Sequence, residues 1–380
     1  MKKLLIIISM VFITTLLISC NTISNPDSDY CIISSDKSFY VCSDTTTSYF
    51  DTPIYLRLYY QETDNYDVKE IFDYFENTLA YYHKYFDKYN EYVNINNIYT
   101  INHSNAEIKI DDILYNAIKY TLDNEKVITI DNVPMFNIAL DPVLSIWHDA
   151  RESDLCDYSV EPGIAYCPVP RSLIDGSVFN TNPDDIVLDL DNKTISFSKP
   201  DMSIDLGGIA KGYVTKIISD YLNNKNITYI LNAGNSNVIG GGFNPGRVDG
   251  NFYIALKTPS TNYEESQDYF LTLSVPKNMA VVTSGNYQQF FKGVDDSLIY
   301  HHIINPITYY PGGYSMSVTL LYPDSALADL LSTALYLMPL DEAMDFVNSY
   351  DNLEAVWYHY DGTYAYSDGF SQYIYDIDND

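Results

Sequence analysis

A carboxylate and a hydroxyl four residues apart mark the part of this chain best suited to chemistry. Asp329 and Thr333 stand in Ala328-Asp329-Leu330-Leu331-Ser332-Thr333-Ala334-Leu335, a stretch whose pattern predicts a helix. The helix is expected to open at Ala326 or Ala328, with Asp329 near its start. A spacing of four sends both oxygens from one helix face. Such a hard pair suits Mg²⁺, which takes one or two carboxylates together with substrate phosphate oxygens. Upstream, Tyr300-His301-His302-Ile303-Ile304-Asn305-Pro306 places two adjacent histidines in an extended segment. They point to opposite sides, so one at most faces a given ligand. Phosphate chemistry is the expectation.

Asp205-Leu206-Gly207-Gly208-Ile209-Ala210-Lys211-Gly212-Tyr213 has the make-up of a phosphate cradle. Gly207 and Gly208 let backbone approach a ligand, the following helix offers N–H groups, and Lys211 adds a cation. Neither GxxxxGK[ST] nor GxGxxG spacing is present. Thr283-Ser284-Gly285-Asn286-Tyr287 ends a strand with two hydroxyls. No GxSxG turn surrounds Ser284, which reads as a phosphate or backbone contact. His83, His103, His148 and His359 are scattered and suggest no site.

The formal net charge of −30 leaves no basic surface for nucleic acid. It also means that an anionic ligand needs a metal, a lysine or backbone N–H groups. The 38 tyrosines read as drifted composition, not a binding code. Lys2-Lys3 followed by the apolar run Leu4 to Ile18 predicts an export signal, too short for a spanning helix. It ends Leu17-Ile18-Ser19-Cys20, which resembles a bacterial lipobox with Cys20 as the lipidated residue. Residues 1–20 are thus expected to be a signal, 21–46 a polar tether, and 47–380 a single large domain. Besides Cys20 there are Cys31, Cys42, Cys156 and Cys167. An even number in an exported chain allows two disulfides. Local pairing, 31 with 42 and 156 with 167, is the economical choice among three.

The elements that must position these residues are mixed. Thr52 to Tyr60 alternates as a strand, and 67–89 and 111–122 have helical spacing. The apolar 134–147 is expected to be buried, and 150–183 to be a long loop or insertion. Strands 186–190 and 194–197 flank an Asp191-Asn192 turn. A helix is expected over 214–222, strands near 229–234, 238–242, 252–256, 269–275, 280–283 and 316–322, and a last helix over 340–349. Without a regular βαβ repeat, the class is α+β, with mixed or antiparallel sheets and packed helices.

In order, the Asp205–Tyr213, Thr283–Tyr287, His301–Pro306 and Ala328–Leu335 motifs resemble the ApbE family of bacterial FAD:protein FMN transferases, over about residues 49–344. The resemblance implies a T-fold-related domain and a reaction in which FAD is cut at its pyrophosphate. FMN passes to a Ser or Thr hydroxyl of an acceptor protein and AMP leaves. It implies Mg²⁺ held by Asp329, Thr333 and the carbonyl of Gly208, and FAD contacts from Asp205, Lys211, Ser284 and Ile303. It also implies His302 as the essential histidine, and flavin contacts from Phe50, Tyr89, Met135, Phe136 and Asn137. The implied partners are FMN-binding domains of membrane redox systems, met by a lipid-anchored protein on the outer face of the cell membrane. The chain departs from the family at Asp87 (commonly Ser), Asn137 (commonly Asp), Asn232–Asn237 and Tyr309 (commonly Gly). The same site also fits an FAD pyrophosphatase or a lipoprotein that binds FAD without turnover.

Overall fold

The computed structural model describes residues 30–61, 63–260 and 268–375. The export signal and Cys20 lie outside them. No helix among the described residues is long and apolar enough to cross a membrane.

The chain opens with β1 (Cys31–Ile33) and β2 (Tyr40–Thr46), paired in register across the Cys31–Cys42 disulfide. This corrects the tether: within it, residues 31–33 and 40–46 are strands of the main sheet. They lead into β3 (Ile54–Tyr60). Helix α1 (Val68–Phe86) is capped by Asp67, whose side chain accepts from the Lys69 and Glu70 N–H groups. Val68, Ile71, Phe72, Phe75 and Leu79 form its buried stripe. Helix α2 (Asp112–Asn124) follows Asp111, which does not cap it by side chain but accepts from Tyr85 Oη at 2.5 Å.

Helix α3 (Asp141–Arg151) leads into the segment expected to be a loop, which is instead ordered. It holds a hairpin, β4 (Asp157–Glu161) and β5 (Ile164–Cys167), closed by the Cys156–Cys167 disulfide. The hairpin β6 (Ile186–Asp189) and β7 (Thr194–Phe197) follows. Its Asp189↔Thr194 pairing makes the turn longer than Asp191-Asn192 alone.

Helix α4 (Gly207–Asn224) begins seven residues earlier than periodicity predicts, so the glycine motif is its first turn. Two sheet strands, β8 (Tyr229–Ala233) and β9 (Asn237–Gly241), come next. The hairpin β10 (Phe252–Lys257) and β11 (Tyr269–Val275) precedes β12 (Ala280–Gly285). Then come β13 (Phe290–Gly293), β14 (Ile299–His301) and β15 (Ser317–Tyr322). Helices α5 (Ser325–Tyr336) and α6 (Leu340–Ser349) and strands β16 (Glu354–Tyr358) and β17 (Tyr364–Tyr366) complete the chain.

One nine-stranded antiparallel sheet runs β1-β2-β3-β8-β9-β12-β15-β16-β17. Its middle strands are buried on both faces. Ile239, Val282 and Leu320 join the core shared with the helices, whereas their neighbours Val238, Val281 and Leu321 join Ile254, Leu273 and Phe370 on the other side. A strand period of two divides them in this way. A four-stranded sheet, β14-β13-β5-β4, lies to one side. It shares a small core with α3, in which Trp147 stacks on Tyr300 at 5.5 Å. The fold is α+β, as the element pattern predicts.

Candidate active site

Between α4, α5, α3 and the ends of β12 and β14 lies a cavity of about 580 Å³, in the range of small-molecule sites. The corner that holds Asp329 and Thr333 depends on the contact of α4 with α5. A Cβ on Gly212 would stand 2.4 Å from Ser325 O and 2.5 Å from Asp329 Cβ, so only glycine admits this approach. At this approach the Gly212 N–H donates to Asp329 Oδ2 at 2.8 Å. Ser325 Oγ donates to Gly212 O at 2.8 Å. Asp324, not Asp329, caps α5, and Asp329 lies in its second turn, 6% exposed. Burial raises its pKa, while Lys211 and the Gly212 N–H pull the other way. Thr333 Oγ1, one turn on, lies 3.4 Å from Asp329 O and 3.5 Å from Ser284 Oγ.

Both adjacent histidines line the cavity, against the expectation that one at most faces it: the strand ends at His301, and His302 falls in the bend that follows. His301 is buried, accepts the Ile303 N–H at Nδ1 and meets the Tyr336 ring edge-on. His302 faces the cavity. Its Nδ1 lies 3.3 Å from Gln289 O. A carbonyl only accepts, so Nδ1 carries the proton and Nε2 keeps its lone pair. Desolvation, then the charges of Lys211 and Arg151, push its pKa down to about 4. Solvent reaches the ring through the cavity, which moderates the desolvation.

On the opposite wall, Lys88 binds Asp141 Oδ1 at 2.5 Å and Asp205 Oδ2 at 2.8 Å, all three side chains being largely buried. Burial works against the Lys88 charge, but the two carboxylates outweigh it and hold the ammonium well above its usual range. Asp205 Oδ1 accepts from the Gly207 N–H at 2.6 Å. Asp205 therefore fixes the first turn of α4, with both oxygens engaged by the chain. A Cβ on Gly208 would meet Phe136 at 2.8 Å, so this glycine serves close packing of the wall. Asn137 likewise spends its amide on the chain: Oδ1 accepts from Ala139 N and Nδ2 donates to Thr181 O. Phe50 and Asp51 are consecutive non-glycine residues at φ 56° and 51°, a strained pair at the rim. Asp87 accepts the Tyr89 and Asn90 N–H groups, and this turn delivers Lys88 and Tyr89 to the cavity. Tyr89 lies against His148 at 4.9 Å.

The other departures have local reasons. Gly234 and Asn235, at φ 68° and 58°, form the β8–β9 turn, and Asn tolerates that region. Tyr309 holds φ 62°, with its carbonyl accepting from Trp147 Nε1 at 2.7 Å.

Every candidate residue except Cys20 lines this cavity: Phe50, Tyr89, Met135, Phe136 and Asn137 at one end, Asp205, Gly208 and Lys211 along α4, and Ser284, His302, Ile303, Asp329 and Thr333 opposite. Lys88, His148 and Arg151 also line it and were not singled out by sequence; Asp141 stands behind the wall, paired with Lys88. Their signal was weak. Lys88 stands between Asp87 and Tyr89, and His148 and Arg151 are three apart at the end of a helix.

A model of the ApbE family matches residues 50–357. A FAD:protein FMN transferase of Klebsiella pneumoniae is 26% identical over 227 residues, 58% of this chain and 62% of that protein. One from Vibrio cholerae is 31% identical over 159 residues, 41% of this chain and 45% of that protein. The aligned chain thus spans roughly half of these relatives' lengths. The crystal structure of an ApbE protein of Thermotoga maritima superposes with a TM-score of 0.71 at 24% identity, covering 89% of this chain and 100% of that one. The flavin transferase ApbE of Vibrio cholerae gives 0.63 at 20%, covering 88% and 99%. The fold is shared with both. With four-fifths of the chain under the family model and the motifs gathered around one cavity, the protein belongs to the ApbE family.

Proposed function

We propose that this protein is a Mg²⁺-dependent FAD:protein FMN transferase, exported and held at the outer face of the membrane through Cys20. The observation that carries the reading is the meeting of Lys211, His302, Asp329 and Thr333 in one cavity. The named activity of the curated relatives supports it.

The donor set fits a hard cation. Asp329 offers a buried carboxylate with one oxygen on the Gly212 N–H, Thr333 a hydroxyl at i+4, and Gly208 a backbone carbonyl in the first turn of α4. Asp329, Thr333 and the Gly208 carbonyl are the residues that would hold Mg²⁺. Held there, the ion would supply Lewis-acid chemistry and would neutralise charge on a pyrophosphate. Lys211 adds positive charge beside it. In the reaction the oxygen of an acceptor Ser or Thr attacks the phosphorus on the FMN side. The P–O bond to the AMP phosphate breaks, and AMP leaves with the bonding pair. His302, neutral with Nε2 unprotonated, takes the hydroxyl proton. Lys88, through Asp205, keeps the start of α4 where its N–H groups face the phosphates.

The test is to incubate the protein with FAD and Mg²⁺, with and without an FMN-binding-domain protein, and follow AMP and the acceptor's mass. AMP with a mass gain of one FMN unit is expected. AMP released equally without an acceptor, and no mass gain with any, makes it an FAD pyrophosphatase. FAD bound and intact makes it a flavin-binding protein without turnover.

A further inference from the structure

We propose that Arg151 is an anion-binding residue of this cavity, donating to a phosphate oxygen of the flavin nucleotide, and that the Cys156–Cys167 disulfide holds it in place. The proposal rests on the flavin-nucleotide reading of the site and adds to it a residue from a segment with no assigned role.

Arg151 is the last residue of α3 and lines the cavity, with its side chain 21% exposed. Its Nη2 donates to His148 Nδ1 at 3.2 Å and its Nε to Glu152 Oε1 at 3.0 Å. Arginine does not give up its proton, so His148 accepts and is neutral. Burial and the Arg151 charge lower the His148 pKa in agreement. These contacts fix the guanidinium plane and use two of its five donors. Among the described residues no acceptor takes the other three. The charge also reaches His302, which it disfavours from protonation as Lys211 does. Lys211 and Arg151 therefore both act on His302, the proposed proton acceptor. In a chain of net charge −30, an anion needs such local cations.

The anchoring is equally specific. Cys156 Sγ packs 3.4 Å from Ala150 O and 3.5 Å from Arg151 O, and Cys167 Sγ lies 3.9 Å from Arg151 O. Both sulfurs of the disulfide thus sit on the end of α3. Cys167 closes β5, which runs parallel to β13; β13 pairs with β14, and β14 ends at His301. One covalent staple joins the Arg151 end of α3 to the sheet that delivers His302.

The experiment uses the full-length protein in detergent and titrates FAD by flavin fluorescence across NaCl concentrations at fixed Mg²⁺. Arg151→Gln is expected to weaken FAD about 10- to 100-fold, the range for one charge-assisted hydrogen bond. It should also flatten the salt dependence, and Arg151→Lys should recover part of both. The double variant Cys156→Ser/Cys167→Ser should weaken FAD in the same direction, with little further loss when Arg151→Gln is added. Unchanged affinity, or a loss with the salt dependence intact, overturns the anion-binding role. Full additivity of the cysteine and arginine changes overturns the anchoring role. If the unaltered protein fails to bind FAD, the flavin reading itself falls. If it binds and Arg151→Gln binds equally, only this inference does.

Discussion

Replacing Glu125 by Gln tests how a buried carboxyl behind the cavity wall couples stability to pH. Glu125 is fully buried; Oε2 accepts from the Ile138 N–H at 3.1 Å, and Oε1 has no hydrogen-bond partner among the described residues. Desolvation pushes its pKa up to about 8; the Ile138 N–H and Lys126 pull it down, and Asp184 adds to the rise. A carboxyl with a folded pKa above its unfolded value binds its proton more tightly when folded. Its stabilising contribution is complete below the ordinary 4.5 and is lost as pH rises to about 8. A rise of ~3.5 units sets a ceiling of roughly 5 kcal/mol, and relaxation with water entry brings the expected loss to about 2–3 kcal/mol. Gln keeps an oxygen for Ile138 and cannot ionise. Urea unfolding at pH 5, 7 and 9 should show the unaltered protein losing this stability relative to Glu125→Gln. Because Ile138 follows Asn137 in the wall, FAD affinity should also fall above pH 8 only in the unaltered protein. Parallel loss of stability by both proteins between pH 5 and 9 would refute the reasoning.

Three other outcomes follow from the site. Asp329→Asn keeps an oxygen for the Gly212 N–H, so unfolding should shift by no more than ~1 kcal/mol, while Mg²⁺-dependent AMP release falls at least roughly 100-fold; full turnover would sink the metal assignment. His302→Asn should cost ~10²- to 10⁴-fold in rate. In the unaltered protein the rate should stay flat from pH 8 to 6 and decline toward the His302 pKa of about 4, because the neutral ring is the active form. The sign for stability agrees: folded pKa values of about 3 for His301 and about 4 for His302 lie below the ordinary 6.5, so the unfolded chain protonates first and stability falls as pH drops below 6.5. Gly212→Ala should force α4 from α5, lowering stability by ~1–3 kcal/mol in thermal melts and reducing turnover through Asp329; a variant as stable and active as the parent would show that the close approach is dispensable.

The parts legible in sequence were those with local periodicity or a motif. Helix α6 and strand β11 match their expected limits, and both local disulfides form. The expected divergence of His301 and His302 did not hold, because β14 ends at His301 and the bend at His302 leaves both on the cavity. What escaped depends on tertiary contact. Gly207 to Tyr213 carries no strong amphipathic signal, yet it is helical because Asp205 holds the Gly207 N–H and Gly212 fits against α5. The β4–β5 hairpin was hidden in a segment of weak pattern, since it borrows its order from β13 and the disulfide. Lys88 and Asp141 are far apart in sequence, and only the fold reveals them as one ion cluster with Asp205.

The central sheet has a consequence for how the chain reaches its native state. Strand β3 pairs with β8, so everything between Tyr60 and Tyr229 must be looped out before the middle of the sheet can zip. Such long-range closure is slow, because its entropy is lost before the contacts that repay it exist. Both disulfides join residues only eleven apart, so neither shortens that search. The cavity draws walls from α3 and the start of α4 inside the loop and from α5 beyond it. The binding pocket is therefore among the last features to assemble, and refolding followed by FAD binding should lag behind refolding followed by helix content.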